Sequence, residues 1–281
     1  MAADYSWTID PGPILLIGVL AWLYLPRWRR VRRDDGPRAA PVWRLAMYVL
    51  GLVNLMIALI SPIDALAVQA FAFHMTQHVL LLDVVPICLV LGLTKVILRP
   101  ATRRLQALER AVGPLGHPAF AVVLYIAAMW LWHVPGAYDA ALNDPTVHVL
   151  EHVTFLSVGL LYWWHLLSPI RSRFRTGIMG PIVYMLATKL GVGLLGIGLT
   201  FAPDPIYPYY EHRAGILGLS ASDDQQIGGE LMTFEQMLVM GIALAYLLVR
   251  ALEQSEREQE RRDRLEDLED ERRAAAGRSA S

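Results

Sequence analysis

Five histidines and one glutamate lie near the ends of apolar segments, where imidazole and carboxylate groups could bind a metal ion. Four of the histidines form two pairs with a spacing of four residues, so each pair lies on one face of a helix, one turn apart. Apolar segments do not collect such groups for packing, because each must be desolvated or satisfied there. We therefore predict a metal site. These six residues are His74, His78, His133, His148, Glu151 and His152.

The donor types limit the choice of metal. Imidazole suits copper, zinc and iron, and the nearby thioethers of Met75, Met129 and Met232 favour copper in its reduced state. We expect copper, with zinc as the alternative. The chain has one cysteine, Cys88, so a thiolate clip, an internal disulfide and a CxxC redox site are excluded.

The remaining histidines have other roles in this interpretation. His165 is thirteen residues from His152 in the same segment, and at about 100° per residue the two side chains point to different faces of a helix. This geometry disfavours a haem bound by both histidines. It leaves a haem site with a single histidine ligand open. His165 follows two tryptophans and fits an interfacial aromatic belt. His117 precedes a proline in a loop and is expected to be solvated. His212 could cap the histidine layer or lie on the surface.

The elements that must position these residues are membrane spans. The chain has 281 residues, 55% of them hydrophobic, and a mean hydropathy of +0.38. This composition is typical of a polytopic membrane protein in contact with the lipid bilayer. The net charge of −1 gives no case for a nucleic-acid partner. We predict an all-α fold with seven transmembrane helices, at about 20 residues each. The predicted spans are 11–27, 42–60, 74–94, 118–137, 147–167, 178–202 and 229–250.

Loops rich in lysine and arginine alternate along the chain with loops that have few of these residues, and this alternation predicts the orientation in the membrane. Basic residues concentrate on the cytoplasmic side, so we predict the N-terminus outside, the C-terminus in the cytoplasm and the histidines near the outer face. Acidic residues precede the first span and arginines follow it, which indicates a retained span rather than a signal peptide. Residues 1–250 then form the transmembrane domain, and 251–281 a charged tail that is helical and then disordered. The basic loops are 27–41, 95–117 and 168–177; the others are 61–73, 138–146 and 203–228.

Five motifs resemble the seven-span CtaG family of cytochrome c oxidase assembly factors. They cover the third to the seventh predicted span, and their order in the chain makes the resemblance specific. Two positions depart from the family pattern: His165 replaces a usual proline, and Asp83 replaces a usual apolar residue. Neither belongs to the predicted site. The motifs are HMTQH at 74–78, WHVPGAYDAAL at 132–142, HVLEHVTF at 148–155, YWW at 162–164 and DDQQIGGELM at 223–232.

The resemblance implies a multi-pass protein of the bacterial plasma membrane that helps to build a haem–copper oxidase, through its copper, with cytochrome c oxidase subunits as partners. We expect an assembly factor rather than an enzyme. The resemblance carries over the five histidines as metal ligands. It also includes acidic and amide residues, which we expect to orient the ligands from a second layer. These are Asp139, Glu151, Asp224 and Gln225.

Two other functions stay open from the residues alone. A seven-span zinc hydrolase could use the same histidines with Glu151 or Asp139 as a base, although such hydrolases usually carry a histidine pair in the last span, which has none here. A transporter would need polar groups at several depths. Two deep charges, Asp83 and Lys189, are expected to form an ion pair inside the bundle, with Glu235 as the alternative partner of Lys189.

Overall fold

The structure is a computed structural model, and it describes residues 3–170, 172–174, 179–211 and 218–279. It confirms the all-α fold, because the described residues contain helices and no strand. Two short π-helical turns, Leu80–Val84 and Gln236–Met240, and one 3-10 turn, Gly113–Gly116, join or follow α-helices. The α-helices are α1 Pro11–Asp34, α2 Val42–Leu59, α3 Pro62–Ala67, α4 Phe71–Val79, α5 Val85–Gly92, α6 Arg99–Ala111, α7 Pro118–Trp132, α8 Pro135–Asn143, α9 Pro145–Leu167, α10 Gly180–Thr200, α11 Pro208–Glu211, α12 Ala221–Glu235 and α13 Gly241–Ser279.

Four helical stretches in the described part are long and apolar enough to cross a membrane. A fifth is added if α7 and α8, which meet at a bend of 73°, count as one broken span. Helix α9 has 23 residues, but His148, Glu151 and His152 lower its hydropathy. The predicted spans overlap helices, but 118–137 crosses the break between α7 and α8, where Pro135 starts a new helix in another direction, so its end at 137 is wrong. The count of seven stays a prediction. The four stretches are Val42–Leu59, Phe71–Gly92, Gly180–Thr200 and Ala221–Leu268.

An exposed apolar stripe on α10 fits contact with lipid. Val183, Leu190, Leu194 and Phe201 are each more than half exposed and recur at helical spacing. An apolar surface of this extent marks a membrane or interaction face. The apolar helices therefore fit a membrane protein.

The predicted orientation can be tested by cysteine labelling in intact cells. An impermeant thiol reagent is expected to modify an Ala140→Cys variant and to leave a Ser172→Cys variant unmodified. Both positions are exposed, and the native Cys88 is buried and should not react. The opposite labelling pattern would reverse the topology and place the histidines at the cytoplasmic face.

Helix α4, the π turn after it and α5 form the centre of the bundle. In the most apolar part of this stretch 67% of the residues are buried, the largest share among the candidate spans in the described part. It packs against α2, α9 and α12. Two glycines permit the closest approaches: a Cβ on Gly159 of α9 would lie 2.1 Å from the Leu82 carbonyl oxygen, and one on Gly228 of α12 would lie 2.3 Å from the Phe71 ring. Small residues at helix contacts allow this spacing in membranes.

Several predicted loops contain helices, among them α11 within 203–228. Helix α3 lies within 61–73, the amphipathic α6 within 95–117, and α8 occupies most of 138–146. Pro135 is the first residue of α8. Helix α7 cannot continue through this position in the same direction, because proline lacks a backbone donor and its ring clashes with the preceding turn. Helix α13 continues from the last predicted span to Ser279, and the division at residue 250 stays a prediction.

The predicted ion pair between Asp83 and Lys189 is wrong. Asp83 accepts hydrogen bonds from the Tyr125 hydroxyl and the Trp163 indole, both at 2.7 Å. Lys189 is half-buried on α10 and has no ion pair within the part of the chain that the structure describes. Glu235, the alternative partner, contacts Asp83 and Gln236 instead. Neutral donors from two neighbouring helices satisfy the carboxyl group, so a buried lysine is not required.

Candidate metal centre

Helix α4 presents His74 and His78, and its first turn is held by a carboxylate from another helix. Both oxygens of Asp224 accept backbone hydrogen bonds, from Phe71 N at 2.6 Å and Ala72 N at 3.0 Å. These N–H groups have no acceptor within the helix, so the carboxylate supplies one. Its negative charge also interacts favourably with the positive end of the helix dipole. Asp224 therefore positions the histidine helix through backbone contacts.

Helix α9 presents the second pair together with Glu151. Asp144 caps its first turn by accepting from Thr146 N at 2.7 Å, and Pro145 occupies the first helical position, where its missing N–H costs nothing. The cap fixes where the helix begins, so His148, Glu151 and His152 fall in its first two turns. His133 enters from the broken end of α7.

Glu151 lies between the two histidines of α4. Its Oε2 is 3.4 Å from His74 Nε2, and its Oε1 is 3.3 Å from His78 Nε2. All three side chains are at most 1% exposed. One carboxylate thus connects both imidazoles of the pair and is itself a candidate ligand, not only a residue that orients ligands.

Three side chains meet the geometric requirement for a shared ion. Donor atoms of His74, His148 and Glu151 all lie within 4.8 Å of one another. The His74 and His148 rings stack with centroids 5.4 Å apart, and the His152 ring lies 4.2 Å from His148. Together with His78 and His133, these residues form what we call the histidine cluster.

His133 is oriented by the backbone and directed at a thioether. Its Nδ1 lies 2.7 Å from the Met129 carbonyl oxygen, which can only accept, so Nδ1 carries the hydrogen. Its Nε2 lone pair then faces Met75 Sδ at 3.3 Å. The His78 ring is 5.5 Å away. Orientation of a metal-ligating histidine by a backbone carbonyl is a common arrangement, and imidazole with thioether suits reduced copper.

Most polar atoms of the cluster have no hydrogen-bond partner among the residues that the structure describes. Buried polar groups in proteins are normally paired, because an unsatisfied one costs about 1–3 kcal/mol. The contacts of Glu151 with His74 and His78 have ion-pair distances without hydrogen-bond geometry. A bound ion would satisfy these atoms, so the donor set fits a metal. The unpaired atoms are both ring nitrogens of His74 and His78, Nε2 of His148 and His152, and both carboxylate oxygens of Glu151.

Two predicted second-layer residues contact backbone groups in the structure, and their role toward the ligands stays a prediction. Asp224 caps α4, and Gln225 accepts from Ile206 N at 2.6 Å and donates to the Leu199 carbonyl at 3.3 Å. Asp139 is half-buried on α8, and no hydrogen bond joins it to an imidazole within the described residues. Adjacent positions on one helix point in different directions, so a sequence motif does not tell which of its members faces the cluster.

An aromatic group that the sequence reasoning missed covers the cluster. The Tyr138 ring lies 5.0 Å from His74 and 4.0 Å from the Tyr207 ring. Tyr207 donates to the His133 carbonyl at 2.9 Å, and Tyr210 donates to the Ala67 carbonyl at 2.7 Å. Two signals were present in the sequence: Tyr138 lies within the motif at 132–142, and Tyr207 and Tyr210 lie in the last predicted outer loop. His212, which was expected to cap the layer or lie exposed, is outside the described residues.

The two histidines set apart from the site lie at other places. His117 is exposed and its Nδ1 accepts from Ala119 N at 3.1 Å, which caps α7. His165 is half-buried in the last turn of α9, with its ring 6.4 Å from Tyr184. Neither reaches the cluster, so both provide control positions for experiments on it.

Fold and site together define a helical membrane protein with a buried centre of histidines and one glutamate. The family model described as cytochrome c oxidase caa3 assembly factor (Caa3_CtaG) matches residues 22–254. Since this match covers most of the chain, the protein belongs to the Caa3_CtaG family. The resemblance of the five motifs is thereby confirmed.

The curated relatives are mycobacterial and longer. The uncharacterized protein ML1998 of Mycobacterium leprae is 25% identical over 286 residues, which cover 93% of this chain and 42% of the relative. The uncharacterized protein Mb0105 of Mycobacterium bovis is 24% identical over 277 residues, which cover 91% of this chain and 40% of the relative. The chain thus spans about two fifths of the length of these relatives. No solved structure matches it.

Proposed function

We propose that this protein helps to assemble a haem–copper cytochrome c oxidase in the bacterial plasma membrane, by binding copper in the histidine cluster and passing it on. Family membership supports the assembly role. The observation that carries the copper assignment is the placement of Glu151 between His74 and His78, with the ring nitrogens otherwise unpaired. The partners are then cytochrome c oxidase subunits, which receive the ion.

The cluster offers two donor groups that share one carboxylate. His74, His148 and Glu151 form the first, and His78, His133 and Met75 lie beside Glu151 on its other side. Closed structural sites surround a metal with four protein ligands. An incomplete, shared donor set suits an ion that is cargo and must leave. Met75 favours Cu(I), and zinc is the alternative cargo.

The chemistry of this chain's own residues follows from that arrangement. Glu151 supplies negative charge at the centre, the imidazoles supply neutral nitrogen donors, and the buried tyrosines keep bulk water away. In a water-poor site the attraction between carboxylate and cation is stronger than in solvent. The family match gives no support to the alternative of a zinc hydrolase.

Elemental analysis of purified protein tests the proposal. Wild type loaded with Cu(I) is expected to retain copper in stoichiometric amount, and His74→Ala and His78→Ala variants are expected to lose most of it. His165→Ala is the matched control, since it removes an imidazole from the other end of α9, and should retain copper. Full retention in both cluster variants would contradict copper binding at this site.

Delivery is measured in cells by the copper content of the assembled oxidase. Cells with a His78→Ala protein should accumulate oxidase that is deficient in copper, whereas cells with His165→Ala should not. A fully metallated oxidase in His78→Ala cells, with that protein present in the membrane at normal level, would contradict a role in copper delivery.

A further inference from the structure

Two acidic side chains lie below the histidine cluster, in the interior of the bundle. Asp83 belongs to the π turn after α4 and is 1% exposed; Glu235 ends α12 and is 7% exposed. Their carboxyl groups lie close enough to interact and to share a proton. Neither group belongs to the donor set described above.

A hydrogen bond between two carboxyl groups requires one proton. Asp83 already accepts from Trp163 Nε1 through Oδ1 and from the Tyr125 hydroxyl through Oδ2. These two donors stabilise the charged form of Asp83, so the proton resides on Glu235. Without a nearby cation, two carboxyl groups at contact distance in a dry interior do not both ionise. The pair therefore holds one proton and one negative charge.

Unpaired oxygens and a small cavity connect the pair to the cluster. Oε1 of Glu235 and Oε1 of Gln236 are buried without a hydrogen-bond partner. Both residues line a cavity of about 10 Å³ together with His78 and Asp83. A volume of this size is about what a single water requires. The cavity thus joins the carboxyl pair directly to one imidazole of the cluster.

A second cavity approaches the pair from the opposite side. It measures about 1430 Å³, and Arg44 and Arg250 line it, which identifies the arginine-rich end of the bundle. Its walls include Val84, next to Asp83, and Trp163, whose indole donates to Asp83. The Asp83–Glu235 pair therefore lies between this cavity and the histidine cluster, and it places polar groups there.

Both helices are distorted where they carry these acids. Asp83 lies inside the π turn Leu80–Val84, and Glu235 immediately precedes the π turn Gln236–Met240. A π turn inserts one residue into the helical repeat, and such turns are frequent at functional sites. Two π turns lie where the helices that carry Asp83 and Glu235 meet. We infer that these turns position the two acids in addition to their effect on packing.

We propose that Asp83 and Glu235 form a proton-binding site that releases its proton when a cation binds in the histidine cluster. This inference rests on the proposed cation binding. The O–H bond of Glu235 breaks, its electron pair stays on the carboxylate, and the proton leaves toward the large cavity. No oxidant or reductant takes part.

The expected coupling follows from charge and distance. Asp83 is five residues beyond His78, or roughly 7.5 Å along a helix. At an effective dielectric constant of about 20, one positive charge at that distance favours deprotonation about 40-fold. The other titratable groups facing the pair are His78 from α4, Tyr125 from α7 and Tyr162 from α9.

Infrared difference spectroscopy on the reconstituted full chain tests the inference. Wild type without metal should show the carbonyl band of a buried protonated carboxyl group. The band should disappear in Glu235→Gln and persist in Glu230→Gln, which changes an exposed acid on the same helix. Cu(I) should diminish the band in wild type. A pH dye should then report about one more proton released per ion than in Glu235→Gln, whose copper affinity should be up to about 40-fold lower.

The outcomes separate this inference from the proposed function. If wild type binds Cu(I) with an unchanged band, and releases as many protons as Glu235→Gln, the coupling is wrong and copper binding stands. If wild type binds no Cu(I), the proposed function is wrong and the coupling with it. Should Glu235→Gln fail to accumulate, Asp83→Asn provides the same readouts, because it removes the negative charge that keeps the proton on Glu235.

Discussion

Replacing Glu151 by glutamine is expected to lower the copper affinity of this protein about a hundredfold while leaving the protein folded. Glu151 contacts His74 and His78 and shares a donor group with His148. Loss of a carboxylate that supports metal ligands typically costs 10- to 100-fold in affinity, and this one serves two histidines at once. Glutamine keeps the shape but not the charge, so the effect reports electrostatics and ligation, not packing.

Thermal unfolding with and without Cu(I) measures this effect. An ion present at a hundredfold excess over its dissociation constant stabilises wild type by about 2.7 kcal/mol, whereas the same concentration stabilises a variant of hundredfold lower affinity by about 0.4 kcal/mol. The rise in melting temperature should therefore be several-fold smaller in Glu151→Gln. Without metal the variant should be at least as stable as wild type, since it no longer buries a carboxylate. Glu230→Gln is the matched control. An unchanged copper-induced shift in Glu151→Gln would remove Glu151 from the site.

A methyl group at position 159 is expected to cause the largest loss of stability among single-carbon changes in the bundle. A Cβ there would lie 2.1 Å from the Leu82 carbonyl oxygen and 2.9 Å from Pro86 Cγ, well below ordinary contact distances. Backbone, and not a flexible side chain, is the obstacle, so α9 must move away from the π turn. Overpacking costs about 1–3 kcal/mol and occasionally more, and we expect the upper part of that range for Gly159→Ala.

Gly193→Ala is the comparison that isolates the steric effect. Gly193 is also within a long helix, α10, but a Cβ there would meet nothing within 4 Å. Alanine should therefore be neutral or stabilising by about 0.5–1 kcal/mol through helix propensity. Melting temperatures and folded yields of the two variants are the measurements. Equal stability of both would mean that α9 does not approach the π turn as closely as described.

The displacement caused by Gly159→Ala should also reach the carboxyl pair. The π turn that Gly159 touches contains Asp83, and the Trp163 donor to Asp83 lies on α9, one turn beyond Gly159. Moving α9 outward lengthens that hydrogen bond. The close glycine contact therefore links the packing of α9 to the position of the acidic pair.

The helices and the donor types of the site were determined by the sequence itself. Apolar segments of about 20 residues predict helices wherever the chain crosses lipid, because backbone groups there must bond internally. Each predicted span overlaps a helix in the structure, although 118–137 crosses the break between α7 and α8. The spacing of four residues places His74 with His78, and His148 with His152, whatever the rest of the fold does. The five motifs were sufficient to indicate the family.

The roles of individual polar residues within a motif depended on contacts between helices. Helical periodicity tells which residues share a face, but not which neighbour that face meets. Thus only the fold places Glu151 between both histidines of α4, and only the fold shows that Asp224 caps α4. These contacts join residues tens to more than a hundred positions apart.

The deep charges show the same limit most clearly. Sequence alone favours pairing Asp83 with Lys189, because opposite charges in a membrane interior usually pair. The tertiary structure instead brings Tyr125, Trp163 and Glu235 to Asp83, from α7, α9 and α12. The two π turns beside the acids shift the helical register by one residue, and no sequence period predicts such a shift. The sequence therefore determined the types of the candidate ligands and their spacing along each helix. The packing of the helices determined which of these side chains contact one another.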